Sequence, residues 1–85
     1  MSDELEIFKK KLLYRASYRG TKEMDILLSS FVKKYINTFK KKELEQLEFF
    51  LKLEDEVIRN YYNFDINKDN IEKNPISKIF KKFKI

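Results

Sequence analysis

The chain has 85 residues, with 19 Lys and Arg against 14 Asp and Glu, a net charge of +5, and neither cysteine nor histidine. That length holds one domain with a thin core. The missing residue types exclude a disulfide framework, a thiol nucleophile, a thiolate or imidazole metal site and a histidine general base. The expectation is a binding protein and not an enzyme, with no metal site.

Every apolar run is far shorter than the roughly 20 residues a transmembrane helix needs. The start, Met1-Ser2-Asp3-Glu4-Leu5-Glu6, is acidic where secretory and mitochondrial presequences are basic. A reducing, soluble compartment such as the bacterial cytoplasm is expected, or the mitochondrial matrix for a eukaryotic chain. Charge is uneven. Residues 1–39 carry eight Lys or Arg against five Asp or Glu, residues 40–65 five against seven, and residues 66–85 six against two. An acidic middle between basic ends suits a dipolar surface that orients on a protein better than a uniform nucleic-acid coat.

Helix one is expected to open with Asp3 and Glu6 as a capping-box variant and to carry Leu5, Phe8, Leu12 and Ala16 at three-to-four spacing. Gly20, the single glycine, closes it or lets another backbone approach. Thr21 is the expected N-cap of helix two, with Glu23 and Asp25 near its positive end and Met24, Leu27, Leu28, Phe31, Val32, Tyr35 and Ile36 as a broad apolar stripe. Asn37-Thr38-Phe39 makes the next corner. Helix three is predicted over 41–53, with Leu44, Leu47, Phe50 and Leu51 inward. Glu54-Asp55 then caps a short helix four carrying Val57, Ile58, Tyr61 and Tyr62. Asn67-Lys68-Asp69-Asn70 reads as loop, and Asn74-Pro75 restarts a helix, because proline suits the first helical position and asparagine caps it. Ile76, Ile79, Phe80 and Phe83 lie on one side of this last helix, with lysines on the other.

No sustained alternation or hairpin turn argues for a strand. The predicted fold is all-α: a small antiparallel bundle of four to five helices. Residues 1–65 form the bundle, and residues 66–85 form a polar loop with a basic amphipathic helix, packed or mobile. That helix is expected to be accessory, so that a chain ending before Asn74 still binds its partner.

On helix one, Phe8, Leu12, Arg15 and Arg19 fall close to one line, so the apolar stripe runs into two guanidinium groups beside a Tyr14–Tyr18 pair. Two readings fit. The arginines snorkel from the core stripe and pair locally with Glu23 or Asp25, or they form a binding surface with the tyrosines.

Arg19-Gly20-Thr21-Lys22-Glu23 fits an RGxxE signature, and the chain resembles the SdhE family, the flavinylation (assembly) factors of succinate dehydrogenase. The resemblance runs over about residues 8–65, through Glu23 to Phe31 and again across Leu44 to Tyr61 with acidic Glu54-Asp55 between. Tyr18 stands where many members have arginine, Tyr61 where tryptophan is usual and Lys52 where an acidic residue is usual; residues 66–85 show no clear match. The resemblance implies a small helical monomer that binds the flavoprotein subunit of succinate dehydrogenase, and in some members fumarate reductase. It further implies that the factor promotes covalent attachment of FAD to that subunit while binding no cofactor stably itself. It places Arg19, Gly20 and Glu23 on the functional surface. Arg15, Tyr18, Asp25, Asp55 and Tyr61 are further partner-binding candidates. Arg19→Ala or Glu23→Ala is expected to weaken binding with little change in stability.

Three alternatives come from the residues themselves: a helix-turn-helix DNA reader, a membrane-surface protein docking through the C-terminal helix, and a paired-carboxylate enzyme using Glu23 and Asp25. The last is disfavoured because residues two apart on a helix point to different sides.

Overall fold

Five helices follow the apolar periodicity in chain order. They are α1 (Ser2–Ser17), α2 (Lys22–Tyr35), α3 (Lys41–Leu51), α4 (Asp55–Phe64) and α5 (Pro75–Lys82), with a single 3-10 turn at Ile71–Lys73 ahead of α5. The structure, a computed structural model, describes residues 2–85, and no strand occurs among them. The all-α expectation holds.

The local signals that specify boundaries act through identifiable hydrogen bonds. Thr21 caps α2 by accepting from the Met24 N–H at 3.3 Å, and Asn74 caps α5 by accepting from the Ile76 N–H at 2.9 Å with Pro75 behind it. Lys40 has no side-chain acceptor to offer α3. Its own N–H donates to the Glu43 carboxylate at 2.9 Å, the return half of a capping box.

Several boundaries differ from expectation: α1 ends at Ser17, ahead of Arg19 and Gly20, and Glu54 gives α4 no side-chain cap. Helix α1 begins ahead of Asp3, which together with Glu4 lies in the first turn, where a carboxylate suits the positive helix end. Helix α3 stops at Leu51, not Leu53, because the chain turns through Lys52–Glu54 and leaves carbonyls that a distant side chain collects.

One hydrophobic core gathers Leu12 and Ala16 of α1, Met24, Leu28, Phe31 and Val32 of α2, Leu44, Leu47 and Phe50 of α3, Val57 and Ile58 of α4, and Ile71, Ile76, Phe80 and Phe83. At its centre the Phe31 ring meets Phe80 at 5.1 Å, Phe83 at 5.4 Å and Phe50 at 6.4 Å between centroids, all edge-on. Edge-to-face rings at these spacings add to the burial energy.

Residues 66–85 therefore share the core of residues 2–65. Helix α5 lies against α3 and α4, and polar contacts made by three side chains fix it. The Tyr62 hydroxyl donates to the Phe83 carbonyl at 2.6 Å. The Asn74 side-chain amide donates to the Gln46 carbonyl at 2.8 Å. Lys81 donates to the Tyr61 and Tyr62 carbonyls at 2.6 and 2.9 Å and pairs with Asp65 at 2.6 Å.

Candidate functional site

The corner between α1 and α2 is built on a backbone that only glycine takes without strain. Gly20 has φ +114°, and a Cβ placed on it would meet no atom of the chain within 4 Å. Its glycine requirement is thus conformational and not steric crowding, and the space outside it is open.

Arg19 anchors this corner from within. Its side chain is 10% exposed and reaches across to the α3–α4 corner. Nε donates to Asp55 Oδ1 at 2.7 Å, Nη1 to the Leu51 carbonyl and Nη2 to the Leu53 carbonyl at 2.7 Å. These carbonyls follow the end of α3 and have no helical partner of their own, while Asp55 sits in the first turn of α4, where negative charge is favoured. One planar guanidinium joins two helix ends. The Arg19 backbone N–H donates to Asp25 Oδ1, which ties the same residue to α2.

This corrects the expected local pairing. Neither arginine side chain pairs with Glu23 or Asp25: Arg15 crosses to Glu48 of α3 at 3.3 Å, and Arg19 goes to Asp55. Arg15, on α1, and Arg19, two residues past its end, are long enough to reach the neighbouring helices, where their acceptors lie. The expectation that Arg19→Ala leaves stability nearly unchanged rested on an exposed ion pair, and the buried fork removes that premise.

The remaining candidates divide sharply. Glu23 is exposed and makes no hydrogen bond or ion pair among the described residues. Tyr18, at 70% exposure, packs its ring on Tyr14, at 66%, with centroids 4.6 Å apart. Asp25 and Asp55 are half-buried and engaged by Arg19. Tyr61 is buried on the face of α4 that carries Val57 and Ile58, so it lies in the core and is not a surface contact. Burial raises its phenol above the ordinary value of 10.0, with the Glu72 charge next; Lys81 opposes the shift and Asp65 adds to it.

Sequence reading missed the acceptors of Arg19. Backbone carbonyls at a helix end carry no side-chain signature, and nothing between residues 51 and 53 marks them. Lys81 was missed for the same reason.

The DNA and membrane alternatives are not favoured. Helix α2 buries Met24, Leu27, Leu28, Phe31 and Val32 and turns Glu23 outward at its start. The apolar side of α5 that would enter a bilayer surface is occupied in the core. No helix among the described residues is long and apolar enough to cross a membrane.

Residues 10–84 match the model of the Sdh5 family, described as flavinator of succinate dehydrogenase. The chain belongs to that family. The match extends through α5, beyond the residues 8–65 that the motif and its context suggested. Over 49 residues, 58% of this chain and 33% of the relative, it is 41% identical to "Succinate dehydrogenase assembly factor 2, mitochondrial" of Scheffersomyces stipitis. A protein of the same name from Yarrowia lipolytica is 34% identical over 73 residues, 86% of this chain and 48% of that protein. The "FAD assembly factor SdhE" of Acetobacter pasteurianus is 38% identical over 53 residues, 62% of this chain and 49% of that one. The chain thus spans about half or less of the length of these relatives. No solved structure matches it.

Proposed function

We propose that this protein is an assembly factor that binds the flavoprotein subunit of succinate dehydrogenase and promotes covalent attachment of FAD to it. The observation that carries this reading is that the family match runs through a corner whose Gly20 and Glu23 face outward and are engaged by nothing else among the described residues.

Attaching flavin to a protein histidine needs a nucleophile, an electrophilic isoalloxazine and a pocket that holds both. This chain has no histidine and no cysteine, so the nucleophile belongs to the partner. Nor do its residues suit a resident FAD. A single glycine cannot form a phosphate-cradling loop, and a cleft of about 430 Å³ between α3 and the Asp69–Pro75 segment offers a single cationic side chain, Lys73, to a pyrophosphate. FAD is therefore cargo carried by the partner. The contribution of this chain is conformational: by binding the competent form of the flavoprotein more tightly than the incompetent one, it raises the competent population in proportion to that difference. It acts as a monomer, in the cytoplasm of a bacterium or the mitochondrial matrix of a eukaryote.

Co-expression with a tagged flavoprotein subunit tests this directly. The chain is expected to co-purify with the subunit, and the denatured subunit is expected to retain flavin fluorescence only when the chain is present. Equal covalent flavin with and without the chain, and no co-purification, would overturn the reading.

A further inference from the structure

We infer that the arginine of the Arg19-Gly20-Thr21-Lys22-Glu23 motif is a positioning residue held inside this chain, that Asp55, 36 residues further along, is its positioning partner, and that only Gly20 and Glu23 of the corner meet the partner protein. This deepens the docking role proposed above and rests on it.

Each of the three guanidinium nitrogens of Arg19 already donates a hydrogen bond within the molecule, to Asp55 and to the Leu51 and Leu53 carbonyls, and the side chain is only 10% exposed. Swinging the guanidinium out to a partner carboxylate would break those bonds and leave two helix-end carbonyls without a donor, which costs more than an exposed contact returns. The backbone of the same residue is held by Asp25. Arg19 thus fixes the chain just before Gly20 from two sides, one in α2 and one at the α3–α4 corner.

The outward groups have the opposite character. Glu23 is exposed with no internal partner among the described residues, and above Gly20 the space is open. The partner surface they fit presents a cationic or N–H donor group to Glu23 and approaches a bare backbone at Gly20. A corner braced in its binding shape avoids paying ordering entropy on association, so slackening the brace weakens binding without removing any contact.

The test compares the full chain with Arg19→Lys, Asp55→Asn, the double variant and Glu23→Gln in two measurements. The first is the set of backbone amide resonances of each free chain. The second is affinity for the purified flavoprotein subunit of succinate dehydrogenase. In Asp55→Asn the amides of residues 20–23 are expected to shift and broaden while those of the core helices keep their positions. Its affinity should fall on the order of tenfold, and the double variant should lose little more than either single one. Glu23→Gln is expected to lose affinity with the free-chain amides outside its own turn unchanged. If Arg19→Lys failed to fold, Asp55→Asn alone would decide, since asparagine keeps the shape and one acceptor oxygen. The inference is overturned if Asp55→Asn leaves the corner amides in place. It is equally overturned if Asp55→Asn binds like the unaltered chain while Arg19→Lys loses affinity with an undisturbed corner, because Arg19 would then touch the partner directly. If the unaltered chain does not bind the flavoprotein at all, the proposed function fails instead, and the amide measurement by itself judges the brace.

Discussion

At Gly20 the backbone angle and the empty space around it make separable demands. A φ of +114° lies where L side chains rarely sit, yet a Cβ there would touch nothing. Gly20→Ala should therefore cost about 1–2 kcal/mol from backbone strain alone, lowering the melting temperature by roughly 4–8 °C for each kcal/mol in a domain this size. A chain assembled by chemical synthesis with D-alanine at position 20 should recover most of that loss, because the mirror-image residue favours positive φ. If D-alanine melted as low as L-alanine, steric crowding and not backbone angle would be the reason for glycine. A larger side chain such as arginine would add bulk to the open side where a partner approaches, so Gly20→Arg should lose more partner binding than its melting temperature explains.

At the scale of elements, α4 shows what the sequence could and could not reveal. Its apolar positions Val57, Ile58 and Tyr61 were legible from spacing, as were the Thr21 and Asn74 caps, because such signals are local and depend on side-chain type. The ends of α3 and α4 were not legible in this way. Their carbonyls are collected by Arg19 and Lys81 from elements far away in sequence, and no pattern of residue types announces a backbone acceptor. The same limit explains why Arg19 and Asp55 stood together as surface candidates: the motif identified the right corner, but which of its members faced inward was a tertiary fact. Around the end of α4, burial raises the Tyr61 phenol, with the Glu72 charge next, against the opposing pull of Lys81. The sign follows from linkage. The neutral phenol is favoured in the folded chain, so this contribution is intact below the unfolded value near 10.0 and is lost as pH rises through that value toward the folded one. Tyr61→Phe should therefore flatten the alkaline loss of stability relative to the unaltered chain, read as the difference between their urea midpoints from about pH 9 upward. Parallel curves would show that Tyr61 ionises with equal ease in both states.

At the scale of the molecule, the polar loop at 67–70 and the lysine-rich last helix suggested an accessory segment, because a break in periodicity looks the same whether the chain leaves the core or merely crosses it. The structure shows the crossing. Ile76, Phe80 and Phe83 are buried, the Phe80 ring packs tilted against Phe50 and Tyr62 with centroids 5.2 and 4.8 Å away, and α5 supplies the donor that closes α4. Burying three such side chains contributes about 2–3 kcal/mol each, a sum comparable with the roughly 5–15 kcal/mol that holds a whole domain together. A chain ending at Lys73 should therefore lose its cooperative thermal transition and much of its helical circular dichroism, and lose partner binding with them. Phe80→Ala is the milder form of the same experiment. It should cost about 3–5 kcal/mol, whereas Lys78→Ser and Lys82→Ser, on the exposed side of α5, should leave the melt nearly unchanged and alter only the salt dependence of association. A truncated chain that still melted cooperatively and bound the flavoprotein would mean that α5 is dispensable to the core it is seen to fill, and the accessory reading of the basic tail would return.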